Sequence, residues 1–315
     1  MSILIISTSN NAHANVVENT LRNTGETIHR INMDHVCEDT VISFNDNNAG
    51  YLGLNLNDTQ IKTNDITGIF FHQAHVSVPS DRVLDEIDRT LCKASWNGIL
   101  PWIETCLNTS IWVNQPSLSR FASLSSSQLA LAKRLGFNIP QTVFTNDLDV
   151  VRKLAVNGKI ILKTGTLHNL NLDGKVILTH VVDPNELTPS DLRNSPCLFQ
   201  RYIEKSYELR VYVVSDKIFA CRIESQTNEK TKTDWRRYNL KDTPHYSHNL
   251  SKDIEEKCVQ LVKELGLKFG AIDLIVTPEN ETVFLECNTQ GHWLWIEELT
   301  GLPITQTICS LLSKH

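Results

Sequence analysis

Apolar and polar positions alternate along the chain in blocks. Residues 2–7 are a short, almost uninterrupted apolar run, as in a strand buried on both faces. Asn10 or Asn11 can cap the helix predicted over about 12–23, and Gly25 stops it. Strand-like runs recur at 27–31, 40–44 and 67–71, and Ile111-Trp112-Val113 is another; amphipathic stretches over about 81–95 and 97–107 separate the last two. Strands alternating with helices predict a layered α/β unit that ends near Pro116. Neither G-x-G-x-x-G nor G-x-x-x-x-G-K occurs in it, so no phosphate loop is expected.

A second block opens at Ser119. Leu124, Leu129, Leu131, Ala132 and Leu135 recur at helical spacing over 123–135, closed by Gly136. Strand patterns at 141–144, 159–163 and 175–179 and a helical one at 147–156 complete a small α+β module, with a polar loop over 164–173. In the third block, strands at 207–214 and 217–222 flank a Ser215-Asp216 turn. A polar, charged segment over 224–250 follows. A helix over 253–265, capped by Ser251 and ended by Gly266, leads to a second strand pair at 269–276 and 281–288 and a last helix over about 303–313. Trp293 and Trp295 alternate like an extension of the final strand; they read first as packing and second as a peptide-facing wall.

Composition narrows the class. At 315 residues, 41% hydrophobic and 21% charged, the chain is long enough for roughly two domains and has the balance of an ordinary globular protein. A net charge of −6 argues against a general nucleic-acid surface. No apolar run approaches the ~20 residues that cross a bilayer, and the opening apolar core is too short for a signal peptide. The eight cysteines lie at least eleven residues apart, without a C-x-x-C pair. They are expected to be mostly buried thiols of a cytoplasmic protein rather than a disulfide or zinc framework.

The candidate chemistry sits on the last strand pair. Successive side chains of a strand face opposite ways, so Glu286 and Asn288 point together. A turn centred between Glu279 and Asn280 sets Asp273 opposite Glu286, with Cβ atoms ~5 Å apart. Two carboxylates and a carboxamide in apolar surroundings are costly without a counter-charge, and this all-oxygen set suits magnesium. The alternative is an exposed hairpin with these groups in solvent. Lys163, at the end of an apolar strand, is placed either to reach phosphates or to snorkel at the edge. Glu208, Arg210 and Tyr212 share a face; Arg210 needs an anionic partner, either a ligand's or Glu208 itself.

The runs Leu198-Phe199-Gln200-Arg201-Tyr202-Ile203 and Tyr207-Glu208-Leu209-Arg210-Val211-Tyr212 resemble the ATP-grasp ligases, as do Ile223-Glu224-Ser225-Gln226, Asp234-Trp235-Arg236, Phe269-Gly270-Ala271-Ile272-Asp273-Leu274 and Phe284-Leu285-Glu286-Cys287-Asn288-Thr289-Gln290-Gly291. The tail His292-Trp293-Leu294-Trp295-Ile296-Glu297, continuing to Thr300-Gly301-Leu302-Pro303-Ile304, resembles the graspetide (microviridin-type) branch, synthetases that macrocyclise ribosomal precursor peptides. The resemblance implies an α/β and α+β architecture: an N-terminal pre-ATP-grasp α/β domain (1–118), a small central lid and leader-docking domain (119–197) and a C-terminal antiparallel-sheet catalytic domain (198–315). It implies Asp273, Glu286 and Asn288 as Mg2+ ligands and Lys163 on the α/β-phosphates of ATP. Gln200, Arg201, Tyr202 and Ile203 would line the adenine through their backbone, Glu208 would take the ribose, and Arg210 and Arg236 would contact the γ-phosphate and the acyl-phosphate made from it.

The activity so implied is ATP-dependent joining of Asp or Glu side chains to Ser/Thr hydroxyls or Lys amines, with ATP and Mg2+ as cofactors. The implied partners are a precursor peptide with a leader and an acidic core, and a second copy of the chain as a homodimer; no nucleic acid or membrane is expected. A ligase adding an amino acid to a protein tail or peptide, and a nucleotide-binding module without turnover, are the alternatives. Two departures stand out. Serine (Ser125) occupies the place where the branch carries a lysine before Gln128-Leu129. The first block has Phe70-Phe71-His72-Gln73-Ala74-His75 in place of paired arginines. His72 and His75 read first as ordinary loop histidines and second as substrate or proton-accepting groups. Lys230, Lys232, Arg236, Arg237 and Lys241 form a local basic run, either a lure for an acidic peptide or a solvated loop.

Overall fold

The computed structural model describes residues 2–44, 52–56, 59–79, 81–156, 158–163, 180–227 and 243–314. The first unit comprises β1 (Ser2–Ser7), α1 (Ala12–Asn23), β2 (Ile28–Asn32), α2 (Val36–Asp39), β3 (Thr40–Phe44), β4 (Leu52–Leu56), β5 (Thr59–Lys62), β6 (Ile66–Phe71), α3 (Glu86–Cys106) and β7 (Ile111–Val113). β2-β1-β6-β7 is a parallel sheet, which explains why β1 is apolar on both faces. Asn11 caps α1 by accepting from the Ala14 N–H, and Gly25 ends it with φ +88. The antiparallel β3-β4-β5 sheet was legible only in its first strand, because an Asn- and Asp-rich stretch hides the period of the other two. The two stretches expected at 81–95 and 97–107 are one helix, α3. Pro101 removes a hydrogen bond from it, but Asn97 and Pro101 both lie on the exposed side, where water can satisfy the freed carbonyl.

Next come α4 (Pro116–Ala122), α5 (Ser125–Arg134), β8 (Thr142–Thr145), α6 (Leu148–Ala155), β9 (Ile160–Lys163), β10 (His180–Val182), α7 (Pro189–Arg193) and β11 (Cys197–Arg201). The order β10-β9-β11-β8 puts β11 in the centre of this small sheet. The segment from 198 to 201, expected with the C-terminal unit, therefore hydrogen-bonds into the central one. The loop and strand expected at 164–179 lie outside the described residues.

The C-terminal sheet has the order β14-β13-β12-β15-β16, built from β12 (Tyr207–Val214), β13 (Lys217–Ile223), β14 (His245–His248), β15 (Phe269–Val276) and β16 (Thr282–Asn288). α8 (Lys252–Glu264), capped by Ser251, covers one face together with α5; α10 (Ile304–Leu312) and Trp293 cover the other. α10 also packs on the first sheet: a Cβ added at Gly68 would stand 2.6 Å from the Leu312 carbonyl oxygen. The last segment thus bonds the outer units into one body. Trp293 and Trp295 do not extend a strand. Trp293 precedes α9 (Leu294–Thr300) and is fully buried against Phe70 and Phe269, whereas Trp295 borders a cleft. All eight cysteines are free; Cys221, Cys258, Cys287 and Cys309 are buried, and the other four are half-buried rather than core groups.

Candidate functional site

β12 and β15 pair so that Arg210 faces Asp273, and β15 and β16 pair so that Asp273 faces Glu286. The expected opposition is present, but by another route. The turn centres on Glu279, with the Thr277 N–H donating to the Glu281 carbonyl and Asn280 at φ +65, so the ladder pairs Leu274 with Phe284. One extra residue, Leu285, then bulges from β16 and moves Glu286 opposite Asp273.

Side chains converge on these carboxylates. Arg210 Nη1 donates to both Asp273 oxygens at 2.6 and 2.7 Å, and its guanidinium is buried. The Asn288 amide donates to Asp273 Oδ2 at 3.1 Å and to Glu286 Oε1 at 3.3 Å. Lys163 Nζ lies 3.8 Å from Glu286 Oε2, so it points into the site instead of snorkelling away. Both carboxylates are 15% exposed, which excludes the solvent-facing hairpin. Burial works against the Arg210 charge, yet adjacent Asp273 more than offsets it and raises the pKa above the ordinary value.

Arg210 and Glu208 are not each other's partner. Glu208 pairs with buried Lys205 at 2.8 Å, and desolvation nevertheless raises its carboxyl pKa. Tyr212, pushed up to about 12 by burial, accepts from Arg210 Nε at 3.4 Å and donates to the His292 carbonyl at 2.7 Å. Gly291 has no alternative at its position: a Cβ there would lie 2.3 Å from Ala271 Cβ and 2.8 Å from Arg210 Nη2.

Gln200 and Arg201 end β11, and Tyr202 and Ile203 open the segment that joins it to β12. Gln200 is fully buried and donates to Thr142 Oγ1 at 3.0 Å, while Arg201 reaches toward Leu154 and Gly158. Gln141 and Lys159 carbonyls engage the Arg201 and Tyr202 N–H groups. Arg236 and the basic run at 230–241 lie outside the described residues. Ser125 opens α5, and Arg134 at its far end pairs with Glu264 rather than with a group of the site.

Groups distant along the chain hold the site together, and Asn114 among them has no signal in the sequence. Buried Asn114 donates to the Phe269 and Thr289 carbonyls at 2.8 and 2.9 Å and accepts from the Lys268 and Phe269 N–H groups. His72 is a loop residue, the first after β6, but a buried one. Its ring centre lies 4.9 Å from His13, which in turn is 4.7 Å from His292. His75 is exposed at the cleft wall. Burial, reinforced by the neighbouring imidazoles, lowers His13 to about 4 and His72 to about 3.

Both rings are therefore neutral in the fold where an unfolded chain would take up protons, below pH ~6.5. Stability is complete above that pH and falls as the pH drops towards 4, with a slope approaching two protons, about 2.7 kcal/mol per pH unit. Thermal melts from pH 7 to 4.5 are expected to show this loss, and a shallower one in His72→Gln. Identical slopes for the two chains would contradict it.

A cleft of about 1170 Å3 runs from Asp273, Glu286 and Arg210 past His292 and Trp295 to Asn11, His13 and Gln73 of the first unit. Among the described residues no three or more His, Cys, Asp or Glu side chains could by themselves hold a metal. Two carboxylates and a carboxamide complete a hard cation's shell only with further oxygens from water and a ligand, the habit of magnesium with phosphates. The cationic and N–H groups already turned on the carboxylates show that the site attracts positive charge, so the donor set fits.

Comparisons with solved structures agree with this geometry. A RiPP-associated ATP-grasp ligase of Chryseobacterium gregarium, in complex with ADP and a leader and core peptide, superposes with a TM-score of 0.88 at 28% identity, covering 99% of this chain and 96% of that one. The chain has the fold of the ATP-grasp ligases. The macrocyclase MdnC of Microcystis aeruginosa, bound with its precursor peptide MdnA, gives a TM-score of 0.86 at 24% identity over 99% of each chain. D-alanyl-alanine synthetase A of Vibrio cholerae gives 0.61 at 13% identity, covering 99% of this chain and 97% of that one. No family model and no curated protein sequence matches. The cleft lies between the first unit, α4 and α5, and the β12, β15 and β16 end of the C-terminal sheet, and no helix of the described residues is long and apolar enough to cross a membrane.

Proposed function

We propose that the chain is an ATP- and Mg2+-dependent macrocyclase of a ribosomal precursor peptide. It activates Asp or Glu side chains of the peptide as acyl-phosphates and joins them to Ser/Thr hydroxyls or Lys amines. The observation that carries this reading is the convergence of Arg210, Lys163 and Asn288 on Asp273 and Glu286, at one end of a cleft of about 1170 Å3. Its support is the likeness, along the whole chain, to a ligase solved with ADP and a leader and core peptide.

Bound magnesium-ATP would supply the phosphoryl group that turns a carboxylate, a poor electrophile, into a mixed anhydride. The chain's own part is positioning and charge. Asp273, Glu286 and Asn288 hold the cation, Lys163 meets phosphate oxygens, and Arg210 balances the charge that develops on the transferred group. Arg236 joins Arg210 in that task. The backbone of Gln200, Arg201, Tyr202 and Ile203 borders the adenine. The Arg201 and Tyr202 N–H groups have carbonyl partners, and the Ile203 N–H is the group assigned to the ring edge. Glu208, held by Lys205, takes the ribose hydroxyls. The central unit docks the leader and closes over the nucleotide, and the work is done in the cytoplasm, consistent with eight free thiols.

The test is mass spectrometry of a leader-bearing acidic peptide incubated with the chain, ATP and Mg2+. The expected product is lighter than the substrate by one water per link. A product heavier by an amino acid would establish the ligase alternative, and ATP bound without phosphate release would establish the binding module.

A further inference from the structure

The bulge that sets Glu286 opposite Asp273 is held from outside the sheet. β16 is an edge strand, so its outward N–H and C=O groups lack a strand partner. Three of them, on two residues, find substitutes. The Phe284 N–H donates to the Asn138 carbonyl at 2.8 Å. At Cys287 the partner is a side chain: Gln128 Oε1 accepts from the Cys287 N–H at 2.8 Å and Gln128 Nε2 donates to the Cys287 carbonyl at 2.7 Å. Gln128 is itself buried, and its amide also donates to the Ala122 carbonyl. One carboxamide on α5 therefore replaces a neighbouring strand at Cys287, between Glu286 and Asn288, two of the three proposed metal ligands.

Parity makes this hold specific. In a regular strand, N–H groups on the same side are two or four residues apart. Phe284 and Cys287 are three apart and both face outward, which requires one extra residue between them. Without the bulge the ladder that pairs Leu274 with Phe284 would continue to Asp273 with Leu285, and Glu286 would turn to the other face. Resting on the metal-seating reading proposed above, we infer that Gln128 is a positioning residue: its two-point grip on Cys287 selects the bulged register in which Asp273, Glu286 and Asn288 face one cation.

The grip acts on cation affinity more than on folding, and the experiment separates the two. Binding of a fluorescent ADP analogue to the full chain is followed by anisotropy while Mg2+ is titrated, for wild type, Gln128→Met and Leu129→Ala. Methionine keeps the length and buried volume but neither hydrogen bond. Leu129, a core residue of the same helix, serves as a destabilised control that leaves the grip intact. Loss of an outer-shell partner costs 10–100-fold in metal affinity in comparable sites. Gln128→Met is therefore expected to raise the half-saturating Mg2+ by about tenfold or more, and to speed amide hydrogen exchange at 284–288, while Leu129→Ala leaves the midpoint in place.

An unchanged midpoint in Gln128→Met, or an equal shift in Leu129→Ala, overturns the inference and leaves the nucleotide site standing. Absence of any Mg2+ dependence in wild type overturns that site and the inference with it. Should Gln128→Met fail to fold, the smaller polar Gln128→Asn, which cannot span both Cys287 groups, is expected to shift the midpoint in the same direction; no shift there overturns the inference equally.

Discussion

Asp273→Asn is expected to reduce phosphate release with ATP, Mg2+ and precursor peptide by about a hundred- to a thousandfold, in the range set by the loss of a preorganised electrostatic contact. The substitution keeps the shape of the side chain and changes its charge. It removes one of the two anions that would hold the cation, and leaves Glu286 as the only carboxylate of the set. It also strips Arg210 of the carboxylate to which Nη1 donates twice. Breaking a buried pair costs about 3–5 kcal/mol, because the remaining charge is stranded in low dielectric. A clearly lower melting temperature should thus accompany the loss of turnover. Turnover within tenfold of wild type would mean that Asp273 serves only to neutralise Arg210.

Arg210→Met is expected to split catalysis from binding. Its guanidinium is buried, tied to Asp273 and to Tyr212, and backed by a glycine that leaves no room for a side chain. Such a cation is preorganised, and arginines that balance charge on a transferring phosphoryl group are worth 10³–10⁵ in rate. In Arg210→Met, phosphate release should fall by about that factor, while ADP affinity in saturating Mg2+ changes by less than about tenfold, since the cation would then compensate Asp273. Lysine should not rescue it, because a single ammonium does not reproduce the planar fork. Parallel loss of rate and ADP affinity would instead assign Arg210 to holding the fold of the site.

How far the site was legible follows from what each residue needs. Strand alternation and hairpin symmetry suffice to bring Asp273 and Glu286 together, because those rules act over a few residues. They reached the right pair through a turn placed half a residue too far along, and the Leu285 bulge made up the difference. A bulge answers to contacts outside its own ladder, so nothing in 269–288 announces it. Gln128 is invisible for the same reason: a glutamine on a helix does not name the strand edge it will meet, 159 residues away. His13 accepts from the Trp293 N–H across 280 residues, a juxtaposition made only when α10 closes onto the first sheet. The fold was more legible than the site's supports. Parallel strands and capped helices declare themselves locally, whereas the small β3-β4-β5 sheet and the helical start of the tail depend on packing partners far along the chain.

The central claim is that Asp273, Glu286 and Asn288 seat a divalent cation that joins a nucleotide's phosphates to the chain. Calorimetric titration of ADP into the full chain, in Mg2+ and then in EDTA, tests it most directly when wild type and Glu286→Gln are run together. The account predicts at least tenfold tighter ADP binding in Mg2+ for wild type, consistent with the usual worth of a site's ligand set, and no Mg2+ enhancement in Glu286→Gln. Equal affinities with and without Mg2+ in wild type, or an enhancement that survives Glu286→Gln unchanged, would contradict it.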